Sequence, residues 1–145
     1  MIVKILRSAG AIIAGLVVAF VLIVGVEFFS AIFHPFPPGA DPSDMEVCKA
    51  HVANYPGWVL GVCGLGWILT VFVSTWLATR LGTARHPAHG IVVGVLLFAA
   101  AGFNMLMLPY PIWFELLNVI LFPSATLTGV KLSRRPVAPE SQKTV

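Results

Sequence analysis

Four long apolar runs set the plan of the chain, and a polar stretch separates each from the next. The first runs from Ala9 to Val26 without a charged residue, behind Lys4 and Arg7, and continues past Glu27 to Phe33. At about 1.5 Å per residue, a helix over 8–33 is long enough to cross a hydrocarbon core of about 30 Å with some tilt. The Lys4/Arg7 start looks like a secretory signal only superficially: the apolar run exceeds about 7–15 residues, and no A-x-A-like site follows. The same reading places further spans at about 58–79, 89–108 and 112–132. Pro109-Tyr110-Pro111 leaves room only for a tight turn between the last two, and Pro123 is expected to kink the fourth and free a carbonyl near Val119.

Residues 34–57 form the one substantial loop. His34-Pro35-Phe36-Pro37-Pro38-Gly39 cannot continue a helix, because proline removes the donor and biases the residue before it toward extended geometry. Asp41-Pro42 then predicts a helix start, with Asp41 as N-cap, and Ser43-x-x-Glu46 is an alternative capping box. The short helix reaching Asn54 carries Met45, Cys48, Val52 and Tyr55 at mostly helical spacing, which predicts an interfacial helix.

Composition supports a bilayer as the solvent. Of 145 residues, 58% are hydrophobic and 10% charged, with a mean hydropathy of +0.92. Soluble domains average about 45–50% apolar and about 25% charged. The fold class expected is all-α: a four-helix transmembrane bundle over 1–132, followed by a polar cytoplasmic tail at 133–145.

Charge placement sets the orientation. With both termini cytoplasmic, Lys4, Arg7, Arg80, Arg85, Lys131, Arg134, Arg135 and Lys143 lie inside, against Lys49 alone outside. That asymmetry predicts N-in and C-in topology in the cell's inner (plasma) membrane. Tyr55, Trp58, Tyr110 and Trp113 then mark the outer interface. The net charge of +3 comes from these topology residues, and no basic cluster interleaved with aromatics argues for nucleic acid. Cys48 and Cys63 form no CxxC pair, against a vicinal dithiol relay.

Depth arithmetic singles out one polar layer. Glu27 falls about 10 Å from the midplane, Glu115 about 9 Å, and Asn104 and Cys63 about 8 Å. Asn118 lies one turn deeper than Glu115 on the same helix face. Carboxyls at such depth are costly and tend to face the bundle interior or water. One expectation is structural: neutral Glu27 and Glu115 bond Asn104 and Asn118 and fix the packing, or else snorkel to the surface. The other is a site. Glu27 and His34 share a helix face if the helix persists, and Glu115, His51 and Cys48 approach from elsewhere. Carboxylate and imidazole groups would suit zinc, iron or copper, so His34, His51, Glu27 and Glu115 are the candidate metal ligands, although no cofactor is predicted outright. His86 and His89 are expected to be solvated loop residues. Gly57-x-x-x-Gly61, Gly90-x-x-x-Gly94 and Ala125-x-x-x-Gly129 offer small faces for close helix approach.

No nucleophile–base pair or phosphate loop stands out. The leading expectation is therefore an accessory or self-associating subunit of a membrane complex, in contact with lipid and with a protein partner or its own copies. The alternatives are an oligomeric transporter or channel coupled through Glu27, and a membrane metalloprotein or enzyme. An acidic residue in the first of four spans resembles the small multidrug resistance proteins, but the charge bias and the long first loop depart from them. Glu27, His34-Pro35-x-Pro37, Asp41-Pro42 and Pro111-x-Trp113-Phe114 resemble features of small four-span bacterial membrane proteins of unknown function. That resemblance implies the architecture and no mechanism.

Overall fold

The computed structural model describes residues 2–134. In chain order the helices are α1 (Ile2–Phe33), α2 (Met45–Ala53), α3 (Gly57–Leu81), α4 (Ala88–Met107) and α5 (Ile112–Ser133), with a 3₁₀ turn at Thr83–Arg85. There is no strand among the described residues. α1, α3, α4 and α5 are each long and apolar enough to cross a membrane, which suggests a multi-pass membrane bundle. The tail expected at 133–145 falls outside the described residues from position 135 onward.

α1 begins at Ile2, earlier than the span requires, because nothing between Ile2 and Ser8 breaks a helix and Lys4 and Arg7 favour one. It ends where Pro35 removes the next donor, after His34 N–H bonds the Ser30 carbonyl at 2.8 Å. α5 continues through Pro123. Most of α1 stays uncovered: Ile13, Val17, Phe20, Val21, Val24 and Phe28 are exposed, as lipid-facing positions would be.

α3 is the central helix and packs against each of the other three long helices, while α1 leans chiefly on α3. Its buried residues include Thr70, Ser74, Thr75, Ala78 and Thr79, a small and hydroxyl-bearing face. Without water to expel, helices in a bilayer gain by close approach, and small residues allow it. A Cβ placed on Gly90 would lie 2.6 Å from the Thr75 carbonyl oxygen, and one on Gly129 would lie 2.6 Å from that of Phe72. Gly94 is closed off in the same way by Thr126. The buried threonine hydroxyls bond their own helix, Thr70 to the Gly66 carbonyl at 2.8 Å and Thr79 to that of Thr75 at 2.9 Å, while Ser74 Oγ has no partner among the described residues. The terminal half of the bundle is therefore tightly sealed. Of the small-residue pairs in the sequence, Gly57 and Gly61 take no part, since an added Cβ would meet nothing within 4 Å at either.

The chain ends of this half are laced together. Arg7 Nε donates to the Leu81 carbonyl at 3.1 Å, and Thr83 Oγ1 donates to the Lys4 carbonyl at 3.1 Å. His89 is buried against Gly82, and its Nδ1 lies 2.9 Å from the His86 carbonyl oxygen. This corrects the expectation of a solvated histidine: the turn between α3 and α4 is so short that His89 falls inside the bundle end.

Candidate functional site

The opposite half of the bundle is looser and carries a lid. α2 starts at Met45 with Asp44 as N-cap, its carboxylate accepting the Glu46 N–H at 2.9 Å. The N-cap is thus Asp44 and not Asp41. Asp41 is already engaged upstream, accepting from Ser43 N–H at 2.9 Å and Ser43 Oγ at 2.7 Å, which also holds its carboxyl below the usual range. The inward face of α2 presents Cys48, His51 and Val52, and Tyr55 follows it.

His51 is sandwiched between rings. Phe36 stacks on it at 3.8 Å between centroids and 14°, and His34 stacks on it at 4.2 Å and 22°. His34 Nε2 lies 3.2 Å from the His51 carbonyl oxygen, and the Ser30 hydroxyl bonds the Tyr55 hydroxyl. The lid is therefore clamped to α1 by ring faces and two polar contacts. Burial lowers the pKa of His51, the His34 imidazole lowers it further, and the backbone contact to His34 works the other way. The folded chain thus binds this proton less readily than the unfolded one, so stability falls as pH drops below about 6.5. Amide protection factors over 45–53, corrected for the pH dependence of intrinsic exchange, are expected to fall between pH 7 and pH 5, and His51→Phe, which keeps the stack, is expected to flatten that response. An unchanged pH response in His51→Phe would assign the effect elsewhere.

Beneath the lid lie two cavities that share the residues Glu27, Trp67 and Asn104. The upper one, about 180 Å³, reaches from Phe36 and His51 down past Cys63 to Tyr110 and Phe114. The lower one, about 160 Å³, continues to Val71, Leu97 and Phe122, where the sealed half of the bundle begins. Each has room for several water molecules. Glu27 stands at their common rim, exposed, and its carboxylate makes no hydrogen bond or ion pair among the described residues. Asn104 Oδ1 is buried there without a partner among the described residues.

Around this carboxylate the walls are aromatic. Trp67 meets Tyr110 edge to face at 6.2 Å and Phe114 at 5.5 Å, and Tyr110 stacks on Phe114 at 4.9 Å. Burial raises the pKa of both Tyr55 and Tyr110, and the nearby Glu27 charge raises both further. Both phenols are therefore neutral donors at physiological pH.

The predicted polar layer is only partly assembled. Glu27, Cys63 and Asn104 border the upper cavity together. Glu115 and Asn118 border neither cavity that holds Glu27. Asn118 is fully buried on the α5 face near Gly64, and its Nδ2 donates to the Phe114 carbonyl at 2.7 Å, so it bonds neither glutamate. The expected glutamate–asparagine bonds are thus absent among the described residues. Matching depth did not fix rotation about the helix axis.

The candidate metal ligands His34, His51, Glu27 and Glu115 are not brought together as a set either. No group of three His, Cys, Asp or Glu residues able to hold an ion comes together among the described residues. His34 and His51 do meet, but face to face, which does not converge their ring nitrogens on one point; Glu27 and Glu115 stay apart from them as ligands. Cys48 and Cys63 border the same cavity as free thiols.

Trp67 is the site residue that sequence reading passes over. The available signal is its i+4 spacing from Cys63, which puts both on one face of α3. No family model, curated protein or solved structure matches this chain.

Proposed function

We propose that this is an integral inner-membrane protein, both termini cytoplasmic, whose site binds a small organic cation with an apolar body. It acts as a binding subunit within a membrane assembly, of its own copies or with a partner. The observation that supports this best is the unpaired Glu27 carboxylate at the rim of an aromatic-walled cavity. An ammonium group there gains the carboxylate charge and the faces of Trp67 and Tyr110, a combination suited to quaternary and protonated amines. The cavities have no continuation through the sealed Gly90/Gly94/Gly129 half, and they open at the rim where Glu27 is exposed. That geometry favours binding over conduction.

The test is a pair of ligands of one shape, titrated by calorimetry into the purified chain in mild detergent. Benzyltrimethylammonium is expected to bind at least about tenfold tighter than its uncharged carbon isostere, neopentylbenzene, since cation–aromatic attraction out of water is worth about 2 kcal/mol or more. Equal affinities, or a preference for the neutral compound, would remove the reading.

The exposure of Glu27 also supports association. A carboxylate facing lipid is unfavourable, so a neighbouring copy or partner helix that covers the rim would complete the site. Light scattering on the same detergent-solubilised sample distinguishes monomer from oligomer.

A further inference from the structure

The sealed half of the bundle ends in a third cavity, which Glu27 does not line. The start of α1, the turn after α3, the start of α4 and the end of α5 meet around a half-open space of about 450 Å³. Arg7, Arg85, His86 and Arg134 line it, with Gly82 and Pro87. We infer that this cavity is a binding site for a phosphate group, carried by an anionic phospholipid or free in solution.

Four observations converge on an anion. Arg7 of α1 and Arg134 at the end of α5 border one space, with Arg85 and His86 of the turn before α4 also in its wall. No carboxylate among the described residues lies at this end: Asp41, Asp44 and Glu46 belong to the lid side, Glu27 lies near the far end of α1, and Glu115 is in the first turn of α5. The α4 N-terminus opens here on Pro87, its first N–H taken by His86 Nδ1 at 3.2 Å, and the positive end of a 20-residue helix still adds to the field. The backbone also goes out of its way to form the turn: Ala84 and Arg85 both sit in the left-handed region, at φ 54° and 51°, where side chains other than glycine are unfavourable.

The ligand class follows from the donors. Arg7 is held in place through Nε by the Leu81 carbonyl, which fixes its plane and leaves the terminal N–H groups for a ligand. Planar guanidinium forks match phosphate oxygens in pairs, and several of them around one point favour a compact oxyanion over a diffuse one. The position, at the ends of membrane-length helices, is where lipid headgroups lie.

Thermal unfolding of the full chain in dodecylmaltoside, in chloride buffer, tests this with three additions: phosphatidylglycerol, phosphatidylcholine and inorganic phosphate. A rise in Tm with phosphatidylglycerol exceeding that with phosphatidylcholine identifies a lipid phosphate as the ligand. A rise with inorganic phosphate alone identifies free phosphate. No rise with either anion overturns the inference. Arg134→Gln is expected to weaken the responding anion about fivefold, the scale of one basic residue at a membrane surface. Arg80→Gln removes the same charge outside the cavity, where Arg80 lies over the Trp76 ring at 5.3 Å, and is expected to leave the affinity unchanged. Equal losses in the two variants would mean general surface charge and would also overturn the site.

Discussion

Glu27→Gln is expected to weaken benzyltrimethylammonium binding by about 10- to 100-fold, the loss of roughly 1.5–3 kcal/mol that accompanies removal of one charged partner. The fold should be unaffected, because the carboxylate bonds nothing within the described residues. Glu27→Asp keeps the charge but withdraws it by one methylene, so it should fall between the two. Trp67→Leu keeps the apolar wall and removes the ring face, and a smaller loss is expected there. Affinity unchanged in Glu27→Gln, with unfolding also unchanged, would show that the carboxylate takes no part.

Gly129→Ala should lower stability by about 1–3 kcal/mol through overpacking. Its new Cβ would come 2.6 Å from the Phe72 carbonyl oxygen, a backbone atom that cannot rotate away. Gly61→Ala is the matched control, with nothing within 4 Å of the added atom. There the intrinsic helix preference of alanine should dominate, giving no loss or a gain of up to about 1 kcal/mol. Unfolding in mixed detergent micelles with increasing dodecyl sulfate measures both. Equal behaviour of the two variants would contradict a sealed half held by close helix approach.

What the sequence makes legible here is axial, and what it hides is angular. Run length places the long helices within a few residues of where they lie, because a membrane span is defined by how far apolar residues continue. Depth puts Glu27, Cys63 and Asn104 in one layer, and these three line one cavity. Glu115 and Asn118, given a similar depth, line neither cavity that holds Glu27. In a helix that is apolar on nearly every side, no amphipathic stripe reveals which face turns inward. The lid shows a different limit. Asp41 and Asp44 are equally competent caps, and the choice depends on Ser43, whose backbone and hydroxyl take up Asp41 first. The hydroxyl face of α3 was readable in principle from Thr75 and Thr79 one turn apart, opposite Gly90 and Gly129. Threonine in an apolar run draws little notice, although it satisfies its own hydroxyl and stays slim.

The cavities' abrupt end above the glycine and threonine seal has an electrical consequence. On the proposed orientation, a cation reaching Glu27 from outside penetrates about 5 Å of a core of about 30 Å. It therefore crosses about one sixth of the membrane voltage, worth about 0.4 kcal/mol per 100 mV for a single charge. On that orientation, occupancy at this carboxylate should change only about twofold between a resting and a depolarised membrane, so a cation bound here would follow the concentration outside far more than the potential across the membrane.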